Sequence, residues 1–230
     1  MNVGLFGGTF NPIHQGHIDV ITHVKTTFHL ETVYLIPAAI PPHKTPGTLA
    51  SARDRFEMVQ QAVATITGLM ASDVELKREG KSFSIDTIRY FKNRADENTQ
   101  LYFIMGSDAF FDMNTWKNSV EIFKLTDIIV MHRAGDPRTL KDVEVFLKNM
   151  ISSEYEISKS GGAAQQCGSR EQSNNTVPHT ELKRVHLCNV PEIYISSTLI
   201  REKIRRDETI KGLVPPSVES IIIKKNLYLI

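Results

Sequence analysis

Cysteine is scarce in this chain. There are two in 230 residues, Cys167 and Cys188, too few for a disulfide framework and suited to a reducing compartment. No apolar run approaches the roughly 20 residues of a membrane span. The N-terminus lacks the charged start of a secretory signal, so Met1–Phe6 reads as structure. A cytoplasmic protein without a membrane partner is expected. Asn174-Asn175-Thr176 matches a glycosylation acceptor, but it carries no weight in a chain read as unsecreted. Charge of one sign is also missing: 27 basic against 26 acidic residues leave a net charge of +1. A nucleic-acid surface needs a basic excess or stripe. The densest basic spot, Lys203, Arg205 and Arg206, reads as a solvated helix face, and no nucleic-acid partner is expected. Two glycine fingerprints are absent as well. Without G-x-G-x-x-G and without G-K-[ST], neither the usual dinucleotide oxidoreductase nor a Walker-type nucleotide hydrolase fits.

What is present is ordinary globular material: 41% hydrophobic residues supply a substantial core at this length. Short apolar runs predict strands at Met1–Phe6, Thr32–Pro37, Val74–Leu76, Leu101–Met105, Asp127–His132 and Val185–Val190. Several are continuous, as in Ile128-Ile129-Val130, the mark of strands buried on both faces of a parallel sheet. Helical spacing links His17, Val20, Ile21, Val24 and Phe28, then Phe56, Val59, Val63 and Ile66 behind a Ser51 cap. Ser84 opens a helix with Ile85, Ile88 and Phe91, and Leu140, Val143, Phe146 and Leu147 mark another. Further helices are expected from Ser197 to Arg206 and from Pro216 onward. This alternation predicts a doubly wound α/β fold with helical crossovers. The stretch 152–180 is rich in Ser, Gly, Gln and Asn and is expected to be a mobile loop. The main domain is then 1–190, including that loop, and 191–230 adds a phosphate-binding motif and a small helical part.

The first strand runs into Gly7-Gly8-Thr9-Phe10-Asn11-Pro12-Ile13-His14-Gln15-Gly16-His17. Strand, glycine turn and helix start are where open α/β sheets bind phosphate. Gly7 and Gly8 open the backbone to an anion, and Gly16 lets a ligand come close between two histidines. His14 and His17 could share a metal ion, but a third ligand would be needed and Cys167 lies in the polar stretch, so no metal ligand set is assigned. They suit a different chemistry. In AMP transfer a phosphate attacks the α-phosphorus of ATP and pyrophosphate leaves. The attacking phosphate has a second pKa of about 6 and is largely dianionic at neutral pH, so no strong base is required. Positioning is required, with donors aimed at the phosphate charge.

At the other end, Ile195-Ser196-Ser197-Thr198-Leu199-Ile200-Arg201 follows the last strand. Ser and Thr cap a helix and donate to phosphate, and Arg201, expected in the first turn, suits a clamp on β- or γ-phosphate. Read alone, this is equally a plain capped helix. Together the two ends resemble the H-x-G-H nucleotidyltransferase superfamily, and within it the nicotinate-nucleotide adenylyltransferases of bacterial NAD synthesis. Residues 1–151 and 182–230 follow that family's motif order.

The resemblance implies a Rossmann-like sheet with a small C-terminal helical part, ATP with Mg²⁺, and nicotinate mononucleotide as acceptor. His14, His17 and Arg201 are then the catalytic contacts to ATP phosphates. Gly7, Gly8, Thr9, Phe10, Gly16, Gly106, Asp108, Ile195, Ser197 and Thr198 surround the nucleotide, with Asp108 facing ribose hydroxyls. Lys44 of Pro41-Pro42-His43-Lys44 meets the acceptor phosphate. Ser84 and Thr87 of Phe83-Ser84-Ile85-Asp86-Thr87 belong to the helix start that holds the pyridine carboxyl group, and Trp116 stacks on the pyridine ring. Two departures stand out: the long 152–180 stretch, and Lys117 where the family often carries an aromatic residue. A sibling enzyme with another acceptor, such as nicotinamide mononucleotide, phosphopantetheine or a glycerol or choline phosphate, is the alternative. A non-catalytic nucleotide-binding domain is a second.

Overall fold

The computed structural model of the protein describes residues 1–41, 49–133, 140–150, 157–159 and 183–229. Its strands are β1 (Asn2–Gly8), β2 (Thr32–Pro37), β3 (Leu69–Ala71), β4 (Gln100–Gly106), β5 (Asp127–Arg133), β6 (Ile157–Lys159) and β7 (Val185–Val190). Its helices are α1 (Gln15–Thr27), α2 (Ala52–Val63), α3 (Ser84–Lys92), α4 (Ser107–Phe111), α5 (Ser119–Leu125), α6 (Leu140–Met150), α7 (Ser197–Arg205) and α8 (Pro216–Lys224), with a 3₁₀ turn at Met113–Thr115. The strands form one seven-stranded sheet in the order β3-β2-β1-β4-β5-β7-β6, and every pairing is parallel.

The continuous apolar runs divide residue by residue between two cores, because successive side chains of a strand point to opposite faces. Leu35, Ile104 and Ile129 join Ile21, Met58, Val59, Ile200, Val218 and Ile222 on one face. Ile36, Phe103, Met105, Ile128 and Val130 join Ile85, Ile88, Phe110, Phe123 and Leu147 on the other. Residues 191–229 thus share a core with α1 and α2. Lys225 strengthens that docking through 2.6 Å ion pairs to both Asp54 and Glu57 of α2.

Three expectations change. Val74–Leu76 is a turn rather than a strand; the edge strand is β3, which pairs Val33–Leu35 with Leu69–Ala71. The triplet read as a strand instead buries Val74 and Glu75 against α3. On α2 the buried stripe is Arg55, Met58, Val59, Ala62 and Val63, so Phe56 turns partly outward and an arginine takes a core position. Within 152–180, Ile157–Lys159 forms strand β6 against β7; the remainder of that stretch lies outside the described residues, as does Lys44.

Chain order reverses between β1 and β4, since β2 and β3 lie on one side of β1 and the later strands on the other. The crevice beyond the C-terminal ends of β1 and β4 is where such sheets bind ligands, and the loops described next line it.

Candidate active site

Two cavities open at this crevice and share Phe6. The smaller, of about 220 Å³, is walled by His14, Gly16, His17, Val190, Ile193, Ile195 and Ser197. The larger, of about 390 Å³, is walled by Gly7, Gly8, Thr9, Ala38, Glu75, Ser84, Gly106, Trp116 and Lys117.

His14 is the N-cap residue of α1, and its backbone N–H donates to His17 Nδ1 at 3.3 Å. A backbone donor forces that nitrogen to accept, so the neutral ring carries its proton on Nε2. The two imidazoles stack with centroids 3.6 Å apart, at the positive end of the α1 dipole. Phe10 fixes this pair from below. It is buried, with a φ of 47° in the left-handed region, and sets its ring edge-on to His17 at 5.2 Å and to Phe6 at 5.6 Å. Its ring also explains Gly8, where a Cβ would lie 2.8 Å from it. Phe10 therefore supports the histidines from within the core instead of offering its ring to a ligand.

Gly7 and Gly16 differ. A Cβ at Gly7 would meet nothing within 4 Å, whereas one at Gly16 would lie 2.3 Å from Ile193 Cγ2. The space left by Gly16 was expected to admit a ligand; it is taken by the loop after β7, which forms the wall of the smaller cavity. Gly106 lines the larger cavity, and the Asp108 carboxylate folds over it, close enough that a Cβ there would sit 2.5 Å from Oδ1. Asp108 remains exposed at the mouth.

The C-terminal motif reaches the glycine loop directly. Ser196 caps α7 by accepting from Leu199 N–H at 3.1 Å, which frees Ser197 Oγ to donate to Pro12 O at 2.9 Å. Arg201 is the fifth residue of α7, one position beyond the first turn. It donates to Asn11 O at 2.8 Å and to Thr198 Oγ1 at 3.2 Å, and its buried Nε has no hydrogen-bond partner among the described residues. The guanidinium thus holds the loop between Gly8 and His14 with one nitrogen and has donor capacity left.

At the larger cavity, Ser84 is the first residue of α3, no side chain caps that helix, and its start faces the cavity. Trp116 lies half-buried at the wall, edge-on to Phe103 at 6.3 Å. Thr87 is not part of that wall: its hydroxyl donates to Glu75 at 2.7 Å and accepts from Arg78 at 3.0 Å, anchoring α3 from behind. Asp86 pairs with Lys117 at 3.0 Å and Arg89 at 3.5 Å and does not line the larger cavity. Lys117 Nζ also stands 4.8 Å from the Phe83 ring centre. Hydrogen bonding to Arg89 holds the Glu121 carboxyl below the usual carboxylate range.

Two residues escaped the sequence reading. Ser82 Oγ accepts from Ala39 N–H at 3.0 Å, tying the loop after β2 to the start of α3. Arg55 is fully buried and reaches four backbone carbonyls. Its signal was available, since position 55 falls on the helical stripe of Val59, Ala62 and Val63.

A parallel open sheet with a histidine-bearing glycine loop and an arginine helix closing over it is the arrangement that the nucleotidyltransferase resemblance implies. The family model described as cytidylyltransferase-like matches residues 5–203. A probable nicotinate-nucleotide adenylyltransferase of Desulfatibacillum aliphaticivorans is 36% identical over 100% of both chains, and one of Trichlorobacter lovleyi is 33% identical over 99% of both. The chain belongs to the nicotinate-nucleotide adenylyltransferase family. Its fold matches that of Plasmodium falciparum nicotinic acid mononucleotide adenylyltransferase complexed with NaAD, with a TM-score of 0.70 at 19% identity, covering 99% of this chain and 97% of that one.

Proposed function

We propose that this enzyme transfers AMP from ATP to nicotinate mononucleotide, releasing pyrophosphate and forming deamido-NAD. The observation that carries the reading is the meeting of two cavities at the glycine loop, one beside the histidine pair and one beside Trp116 and the start of α3. In this reading residues 1–190 carry the transfer site and 191–230 complete it with Arg201.

The acceptor phosphate attacks in line, already dianionic, so the chain's task is placement and charge stabilisation. His17 directs Nε2–H at the phosphates of ATP, His14 supports it by stacking, and the α1 dipole adds positive potential. Arg201 keeps one nitrogen on Asn11 O and uses its remaining donors for the leaving pyrophosphate. Among the described residues no group of three or more His, Cys, Asp and Glu side chains could hold a metal. Mg²⁺ would arrive on the phosphates of ATP and would neutralise oxygen charge there. The two cysteines suit a cytoplasmic setting.

Preference for the nicotinate over the nicotinamide form rests on the uncapped start of α3, whose N–H groups and dipole end suit a carboxylate. The amide NH₂ would face donors instead, a mismatch that sets discrimination on the order of 10²-fold or more. Lys117 contributes little here because Asp86 already neutralises it. The test is pyrophosphate release from ATP and Mg²⁺ with each mononucleotide, phosphopantetheine and glycerol phosphate. Turnover with nicotinate mononucleotide and kcat/KM about 10²-fold lower for the amide are expected. Equal values for the two, or turnover only with another acceptor, refute the reading.

A further inference from the structure

Arg55 is the largest fully buried side chain, 1% exposed, on the core stripe of α2. Among the described residues no carboxylate forms an ion pair with it. It is held by backbone carbonyls alone: Nε donates to Ala50 O at 3.1 Å, one terminal nitrogen to Thr9 O at 2.8 Å and Ala38 O at 2.7 Å, the other to Ala39 O at 3.1 Å. Burying a cation this way is costly, and an apolar side chain of similar volume commonly serves a core as well or better. Core packing therefore does not account for an arginine at this position.

The carbonyls it chooses do account for it. Thr9 follows β1 in the glycine loop, and Ala38 follows β2; both line the larger cavity. A single nitrogen bridging these two oxygens sets the spacing between the glycine loop, which leads on to the histidine pair, and the loop after β2. The other two bonds pin Ala39 and Ala50, the residues on either side of the intervening 40–49 segment. The guanidinium's planar fork of donors does this in one rigid unit, which a lysine ammonium on a flexible stem does not. On the C-terminal side, Arg201 holds Asn11 O of the same loop, two residues beyond Thr9.

We propose that Arg55 is a positioning residue for the reaction, which registers the nucleotide loop against the acceptor loop so that the attacking phosphate is aligned with the α-phosphorus. The inference rests on the two-substrate reading of the cavities. It predicts a particular kinetic signature. Each substrate still finds its own half of the site, but the two halves lose their mutual register, and a misplacement of about 1 Å costs on the order of 10²-fold in rate.

The experiment is steady-state kinetics of Arg55→Lys beside Val59→Ala, a deletion on the same buried stripe whose apolar side chain donates no hydrogen bond to either loop, with melting temperatures for both. Arg55→Lys should lower kcat about 10²-fold while KM for ATP and for the acceptor each change less than about threefold. Val59→Ala should lower Tm and leave kcat within about twofold. Unchanged kcat in Arg55→Lys, a rise in KM with kcat retained, or a kcat loss matched by Val59→Ala at equal loss of Tm overturns the proposal. So does failure of Arg55→Lys to fold, since the side chain would then serve the core and not the reaction. If the wild-type enzyme turns over only a different phosphate acceptor, the proposed substrate fails, and the same ratio measured with that acceptor still decides the role of Arg55.

Discussion

Replacing Gly16 by alanine adds a single methyl group at the wall between α1 and the loop after β7. Gly16 has no left-handed backbone, so alanine meets no conformational strain there. The difficulty is contact: the new Cβ would stand 2.3 Å from Ile193 Cγ2, and ordinary contact begins at 3.4 Å. Ile193 must retreat by about 1.1 Å, and His14 Nδ1, at 3.2 Å from the same point, restricts movement in the other direction. Overpacking of this kind costs about 1–3 kcal/mol. Alanine in a helix returns about 0.5–1 kcal/mol, leaving a net loss of at most about 2.5 kcal/mol. In a domain of this size that lowers Tm by only several degrees. Activity should suffer more, because Ile193 carries the wall that Ile195 and Ser197 continue. Displacing a substrate wall by an ångström costs about 10–10²-fold, and the loss should appear in kcat/KM for ATP. The assay is pyrophosphate release over a range of ATP, with a melt on the same protein. Gly7→Ala is the control, since its Cβ meets nothing within 4 Å and its Tm should not change. Wild-type kinetics in a folded Gly16→Ala enzyme would refute the claim that Ile193 sets this wall.

His17→Ala should reduce kcat about 10²–10³-fold with a smaller effect on ATP binding, as expected of a donor that meets transition-state charge; single-turnover rates and ATP titration separate the two, and weakened binding with intact kcat contradicts the role. Burial pushes the Cys188 thiol up to about 11, so at pH 8 it should react with a thiol reagent only after denaturation, read by peptide mass spectrometry; rapid labelling of the native protein speaks against its burial. The Glu121 carboxyl is depressed by Arg89, so its contribution to stability is present above the unfolded carboxyl pKa and fades as pH falls through the folded one. Glu121→Gln should therefore lower Tm at pH 7 and make little difference near pH 3, and an equal effect at both would show that the ion pair is not the cause.

The glycine loop, the H-x-G-H pattern and the serine-rich start of α7 were legible from sequence because local spacing specifies each. A strand followed by two glycines and a helix start builds an anion site wherever it occurs. The two-faced burial of the strands was equally legible, since a period of two with no polar alternation leaves no solvent face. Local pattern failed where it was ambiguous. Val74-Glu75-Leu76 has the composition of a strand, and only the pairing of β2 with Leu69–Ala71 decides that it is a turn. Thr87 sits in a recognised motif, but its hydroxyl is taken up by the Glu75 carboxylate and the Arg78 guanidinium. Arg55 and Arg201 show the limit most clearly. Their carbonyl partners, Thr9 and Asn11, lie 46 and 190 residues away along the chain. A guanidinium's partners are chosen by which backbone turns the folded sheet brings within about 3 Å, so sequence alone identified the chemistry available at the site, and tertiary structure decided which cation spends its donors on the loops and which has donors left over.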